Sequence, residues 1–536
     1  MAQAFPHKVI NQPGIRRDGT ILEGNQWSAG QWVRFDRNRP RKMRGYRSIS
    51  KLLNNPSRQL TSQTSSGSSY IHSGHVAGID AFTVSSTASV SSTTTRTPAG
   101  FTQDPNITWQ FSTIYDPTSG LQQLIGVATY SQLDPTNTTV GNGALNAMTG
   151  NTSNIFNGGV YLGTALTTMA LAPNGSGSKT ESATTTGVSG GVCVLNPYTI
   201  LYGANGYFAW STPTAPLDFR GAGSGSNNIT AQKIIRGLPL RGGAGYSPAG
   251  LFWSIDSLIR ATYVGGTTIW QWDTLSDEIS LLNANCVVQS DGLFYWVGAD
   301  GRFYLYNGVI QEIPNDLNLN WFFDGRNPAY DGKAYAFRNP RWGEIWFCYA
   351  RGTATEPSHA VIYNYRKKTW YDTKLPVTGR SMATLGDTSL GILMSDATIN
   401  TSSAYTLWQH EVGVDAVDGT SVNAIDAFIE TTPITLFTGD QPSFAGLSAS
   451  ILESDFVFNG NLTVTVRGQA SANSPNIDSV PYVITASPTT AATQVTPIKE
   501  MRRQMSLRFE SNVAGGDFQL GDCWLHISKD SARMTT

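Results

Sequence analysis

Long apolar runs, helical periodicity, clustered cysteines and reactive motifs are all missing from this sequence. No apolar stretch reaches the ~18 residues a transmembrane helix needs, and Met1 to Lys8 has no apolar leader core. A soluble chain, not exported by a leader, is therefore expected. The four cysteines, Cys193, Cys286, Cys348 and Cys523, are far apart, with no C-x-x-C and no histidine at zinc spacing. Each sits in an apolar, strand-like run, which predicts buried free thiols and a reducing compartment during assembly. Apolar spacing of helical period is absent over any useful length.

Recognisable reaction chemistry is also lacking. There is no H-E-x-x-H and no Walker-type loop, and Gly221-Ala-Gly-Ser-Gly-Ser lacks the Lys-Ser/Thr that would follow in one. His72 and His75 are the one close histidine pair, with Asp80 the nearest carboxylate, and are expected to be loop residues rather than metal ligands. His359, His410 and His526 stand alone. Ser290-Asp-Gly and Ala299-Asp-Gly, each running into aromatics, resemble the aspartate turns of sialidase-like blades. Asp-Gly is equally the common tight turn between strands, and glycoside hydrolysis usually needs two carboxylates held together. No catalytic residue, metal or cofactor is expected, and the chain is not expected to be an enzyme.

What is present is aromatic and turn-rich: 11% aromatics, 54 Gly and 25 Pro, against only 14% charged residues, in 536 residues. Gly and Pro punctuate short aromatic and β-branched runs, which predicts an all-β protein. Between 191 and 414 a loose repeat recurs, for example Leu293-Phe-Tyr-Trp-Val-Gly followed by Arg302-Phe-Tyr-Leu-Tyr, and Glu344-Ile-Trp-Phe-Cys-Tyr followed by Val361-Ile-Tyr-Asn-Tyr. A period of about 40–50 residues suits four-stranded β-propeller blades. Two stacked β-sandwiches are the competing arrangement. Residues 56–190 are Ser/Thr/Gly-rich with few charges and read as a polar β-rich insertion. Residues 415–536 hold short strands such as Leu462 to Arg467, where Leu462, Val464 and Val466 alternate with Thr463 and Thr465, as in a β-sandwich-like domain.

Residues 1–55 form the remaining unit. Trp32-Val33-Arg34-Phe35, a turn at Asp36 to Pro40, and a return through Arg41 to Tyr46 make a basic hairpin, with Gly45 a bulge or close-approach point. This hairpin is the expected donor for propeller closure. Residues 1–51 carry eleven Lys/Arg against three acids, a net of +8, while the whole chain is −1. Such a basic face suits phosphates or an acidic partner, or is a solvated or ion-paired surface.

Arg16-Arg-Asp-Gly-Thr-Ile-Leu-Glu-Gly24, then Trp32-Val-Arg-Phe35, a basic turn and Gly45-Tyr-Arg47 resemble the opening of tail nozzle proteins, the tail-hub or packaged-DNA stabilisation proteins of short-tailed bacteriophages. Met505 to Gly521 is similar to their closing segment. The resemblance implies a homo-hexamer in the virion tail, assembled in the host cytoplasm below the portal and adaptor ring. Tail fibres or spikes, the host envelope at ejection, and double-stranded DNA in the lumen are the implied partners. A near-neutral lining would let DNA slide, since each neutralised phosphate adds affinity. Arg34, Arg37, Arg39, Arg41, Lys42 and Arg44 are accordingly expected at the adaptor or subunit interface rather than along the bore. The alternatives are a carbohydrate-binding propeller or adhesin, with Trp270, Trp272 and Tyr306 as stacking platforms, and an envelope-degrading enzyme.

Overall fold

The computed structural model describes residues 5–530, except 21, 66–67, 86–89, 91–92, 98–100, 102, 104, 106, 117–119, 131–159, 165–169, 172–188, 217, 220, 241–247, 387–389, 435–436, 439–440, 443–445, 470–473, 485–493 and 503. Apart from one α-helix, Leu319–Gly325, and two 3-10 turns, the regular structure of the described residues is all strand.

Among the described residues, seven sheets follow one another along the chain, at 59–95, 107–171, 191–228, 234–276, 287–312, 335–374 and, with further strands from elsewhere, 382–410; the first six are antiparallel throughout. The first six each hold four consecutive strands in simple up-and-down order. A lone sheet of this kind has two faces to bury, and stacking it between neighbours supplies the core. Packing follows chain order. Gln59–Ser65, the first strand of the first sheet, lies beside the first strand of the second, Ile107–Asp116, which in turn lies beside Gly191–Leu195 of the third. Trp253 of the fourth sheet meets Trp296 of the fifth edge-on, at 5.6 Å. The first strand of the seventh sheet, Met382–Leu385, comes back against Gln59–Ser65. The sheets are blades of an all-β propeller.

Blade formation begins earlier than the aromatic repeat indicates. The expected insertion at 56–190 contributes the first two blades, and the Thr-rich tract there supplies Thr93–Thr95, the outer strand of the first. These strands need few large residues because Ile71, Ile79, Trp109 and Leu124, all fully buried, fill their faces. Parts of that stretch, 131–159 and 172–188, lie outside the described residues.

Closure of the seventh blade differs in detail from expectation. Its first three strands are local, and its fourth is Tyr46–Leu53, antiparallel to Tyr405–His410. The closing strand is thus the one after the basic hairpin, not the hairpin itself. The hairpin strands, Val33–Asp36 and Arg39–Lys42, join the C-terminal part of the chain, where Arg41 pairs with Gln519. Their turn is a two-residue one with φ of +51° at Arg37 and +63° at Asn38, the geometry that matches strand twist. Gly45 marks the crossing from one domain to the other: a Cβ there would stand 2.2 Å from the Asp415 carbonyl oxygen.

The second domain is therefore built from both ends of the chain. Phe5–Lys8 pairs with Cys523–Asp530, and Ala29–Gln31 with Ala427–Glu430. The predicted alternation holds, with Leu462, Val464 and Val466 fully buried. They share one apolar core with Val33 and Phe35 of the hairpin and with Leu507, Phe509 and Leu525.

Candidate functional site

The N-terminal segment meets the propeller at a buried charged cluster. Arg34 lies in the hairpin strand, Glu344 at the start of Glu344–Tyr349 in the sixth blade, and Glu411 just beyond the seventh blade. Arg34 is 1% exposed and donates from Nη1 and Nη2 to the two oxygens of Glu411, at 2.7 and 2.5 Å. On its other side Nη2 donates to Glu344 Oε2 at 3.2 Å, and Nε lies 2.9 Å from Oε1. The Trp342 ring covers the guanidinium at 4.6 Å.

Glu344 is completely buried yet well supplied with donors. Tyr371 donates to Oε1 at 2.6 Å, and Trp346 Nε1 and Asn339 to Oε2 at 2.9 and 3.2 Å. Burial pushes the Glu344 carboxyl up despite Arg34. Burial works the same way on Glu411, but the Arg34 charge and hydrogen bonds from Arg34 and Trp342 outweigh it and bring that carboxyl down. Arg34 itself is held charged: burial opposes its charge and the two carboxylates more than compensate, raising its pKa. Beside the cluster, Asn339, Arg341, Leu390, His410 and Glu411 line an open cavity of about 500 Å³.

The motif upstream forms a second clamp onto the propeller. Arg17 pairs with Asp372 through Nε at 2.9 Å and Nη2 at 3.0 Å. Asp18 accepts the backbone N–H groups of Asn320 and Trp321 at the start of the Leu319–Gly325 helix. That helix has no side-chain cap from Asn318, so Asp18 supplies it from far along the chain.

The six basic residues singled out in the sequence do not form one exposed face. Arg34 and Lys42 are buried and engaged inside the chain, Lys42 donating to the Gly516 carbonyl at 2.7 Å. Burial lowers the Lys42 pKa, against the pull of Asp415, Asp517 and Asp426. Their expected place at a docking interface is corrected accordingly: a strand with the C-terminal domain on one side and the propeller on the other hides both faces. Arg44 is part-buried. Arg37 and Arg39 are exposed and Arg41 partly so; Arg39 pairs with Asp522 at 2.6 Å and Arg41 lies 3.8 Å from Asp36.

The other candidates resolve as follows. His72 and His75 lie in a blade strand rather than a loop, both buried. His72 Nε2 is 3.0 Å from Gln63 Oε1, and burial, with the Arg96 charge adding, lowers its pKa to about 3. All four cysteines are buried and free, as expected. Asp291-Gly292 is a tight turn, with φ of +52° and +83° between the paired residues Ser290 and Leu293. Trp270 and Tyr306 are blade core and Trp272 is part-buried. Among the described residues, no group of three His, Cys, Asp or Glu is placed to hold a metal, and no helix is long and apolar enough to cross a membrane. Sequence reasoning did not find Glu344, Glu411, Asp18 and Asp372 as partners; lone acids in blade strands and loops carry no local signal of a partner 300 residues away.

No family model and no curated protein matches the chain. Among solved structures, the exo-beta-1,3-galactanase of Phanerochaete chrysosporium with beta-1,3-galactotriose is similar at 10% identity, over 89% of this chain and 99% of that one, with a TM-score of 0.26. The same enzyme with galactose gives 9% identity, 90% and 100% coverage and a TM-score of 0.25. The computationally designed Ika8 protein gives 10% identity, 68% and 99% coverage and a TM-score of 0.34. Likeness at this level carries no functional information, and the fold rests on strand order and packing.

Proposed function

We propose that this chain is a structural subunit of a phage tail, a nozzle that assembles as a hexamer below the portal and adaptor ring, retains packaged DNA and opens for ejection. One observation carries the reading: the two sequence blocks that resemble nozzle proteins are neighbours in space. The opening block supplies the hairpin, and the closing block supplies Gln504–Ser511 and Asp517–Gln519. The two interlock through Arg41 with Gln519, the Leu520 amide with the Pro40 carbonyl, and Lys42 with Gly516. Two matches at opposite ends of a long chain thus describe one module.

The chemistry fits a role without reaction. The Arg34 cluster is a lock: its carboxylates spend their acceptor capacity on donors of the same chain. Locks of this kind suit a subunit that bears load between two domains. Six copies in a closed ring would repeat one heterologous contact around an axis. The experiment is co-sedimentation of the purified chain with portal–adaptor assemblies lacking their tails. Stoichiometric capture in sixfold multiples supports the reading, and failure to associate with any such assembly refutes it.

A further inference from the structure

Three tryptophans come together at one edge of the propeller. Trp210 ends the third strand of the third blade, and Trp270 and Trp272 lie in the fourth strand of the fourth blade. Trp270 and Trp272 have ring centroids 6.3 Å apart, and Trp210 and Trp272 6.4 Å, with planes inclined at 43° and 44°. They wall a cavity of about 540 Å³ whose rim includes Asn227, Thr267 and Thr268. That volume is in the range of small-ligand sites.

The rings are held in place. Gly225 runs so close to Trp210 that a Cβ there would lie 2.6 Å from ring carbon Cζ2, and Phe208 packs on Trp272 with centroids 4.2 Å apart. Trp270 is core, whereas Trp210 and Trp272 are only part-buried. Elsewhere in the propeller Trp253, Trp296 and Trp346 are withdrawn into the blades, at 4% exposure or less. At Gly266, which also lines the cavity, a Cβ would meet nothing within 4 Å, so backbone there is open to approach. No described residue lining the cavity carries a charge.

From this arrangement we propose that the cavity binds a neutral saccharide. A pyranose has an apolar face of C–H groups that stacks on the electron-rich face of an indole, and a rim of hydroxyls that need both donors and acceptors. The part-buried indoles of Trp210 and Trp272 meet the first need, and the exposed Asn227, Thr267 and Thr268, with the glycine backbone, meet the second. A flat nucleobase would also stack here, but a nucleotide brings phosphates, and the lining offers no cation to receive them. An acidic sugar lacks a partner for the same reason. The site stands apart from the Arg34 cluster and is independent of the assembly reading.

The test is saturation-transfer NMR on the full chain with methyl β-galactoside, methyl β-glucoside and N-acetylglucosamine, and with adenosine as the competing class. The expected result is transfer to the ring protons of at least one saccharide. It should weaken about tenfold in Trp272→Ala, the loss of one good aromatic contact, and less in Trp272→Tyr, which keeps a stacking face and guards against misfolding. Absence of transfer with all three saccharides, transfer unchanged in Trp272→Ala, or transfer to adenosine alone would each overturn the proposal.

Discussion

Asp18 caps the distant helix that begins at Leu319: its carboxylate accepts the Trp321 amide at 2.9 Å and the Asn320 amide, 302 residues along the chain, at 2.8 Å. A carboxylate at that end also meets the positive pole of the helix. Asp18→Ala should destabilise the Leu319–Gly325 turn by about 1 kcal/mol, and Asp18→Asn by less. Hydrogen exchange at the Asn320 and Trp321 amides checks this, since only loss of the cap would speed both together. Unchanged exchange would mean that the helix stands without Asp18.

The Arg34 cluster and the exposed Arg39 pair make opposite predictions. Arg34→Met leaves Glu344 buried with its charge uncompensated, which should cost about 3–5 kcal/mol. Arg39→Ala removes an exposed partner of Asp522, to which Lys8 is also paired at 2.8 Å, and should cost under about 1 kcal/mol. Denaturant midpoints of the two variants give the comparison directly. Equal losses would contradict the account of the cluster as a lock.

Arg39 and Arg41 keep a separate role in the proposed assembly. Reversing both charges should abolish association with an adaptor ring while the monomer keeps its melting transition. Normal association by the double variant would remove the hairpin tip from the interface.

Acid should weaken the fold through its buried histidines. Burial holds the pKa of His410 far below 6.5, with Arg380 adding; it brings His72 to about 3 and His359 to about 4. His410 must stay neutral to accept Arg380 Nε at 3.0 Å. With folded values depressed, the stabilisation is fully present above pH 6.5 and is lost as pH falls towards 4, because the unfolded chain takes up protons the folded chain refuses. Each group contributes up to about 2 kcal/mol of this loss by pH 5. Urea midpoints measured from pH 7 to 5 should therefore fall, and less so in His410→Gln, whose amide oxygen can still accept from Arg380.

Much of this architecture is legible in the sequence because it is local. Strands such as Leu293–Val297 and Phe303–Tyr306 announce themselves by dense aromatics, and Asp291-Gly292 gives the turn that precedes them. The first two blades are disguised, since Thr and Ser occupy strand positions whose cores depend on a few residues such as Ile79 and Trp109. The basic hairpin misleads for a different reason. Charge on a strand reads as surface, and nothing near Arg34 tells that Glu344 and Glu411 will enclose it. Chain closure shows the same limit: a strand that closes a blade reads no differently from one that closes a sandwich.

The most direct test of the central claim is the symmetry and bore of the assembled particle, measured by electron cryomicroscopy of virions containing this chain. The account predicts six copies around the tail axis, stacked on an adaptor ring, with a channel wide enough for duplex DNA. A single or threefold propeller with a sealed centre, attached away from the axis, would contradict it.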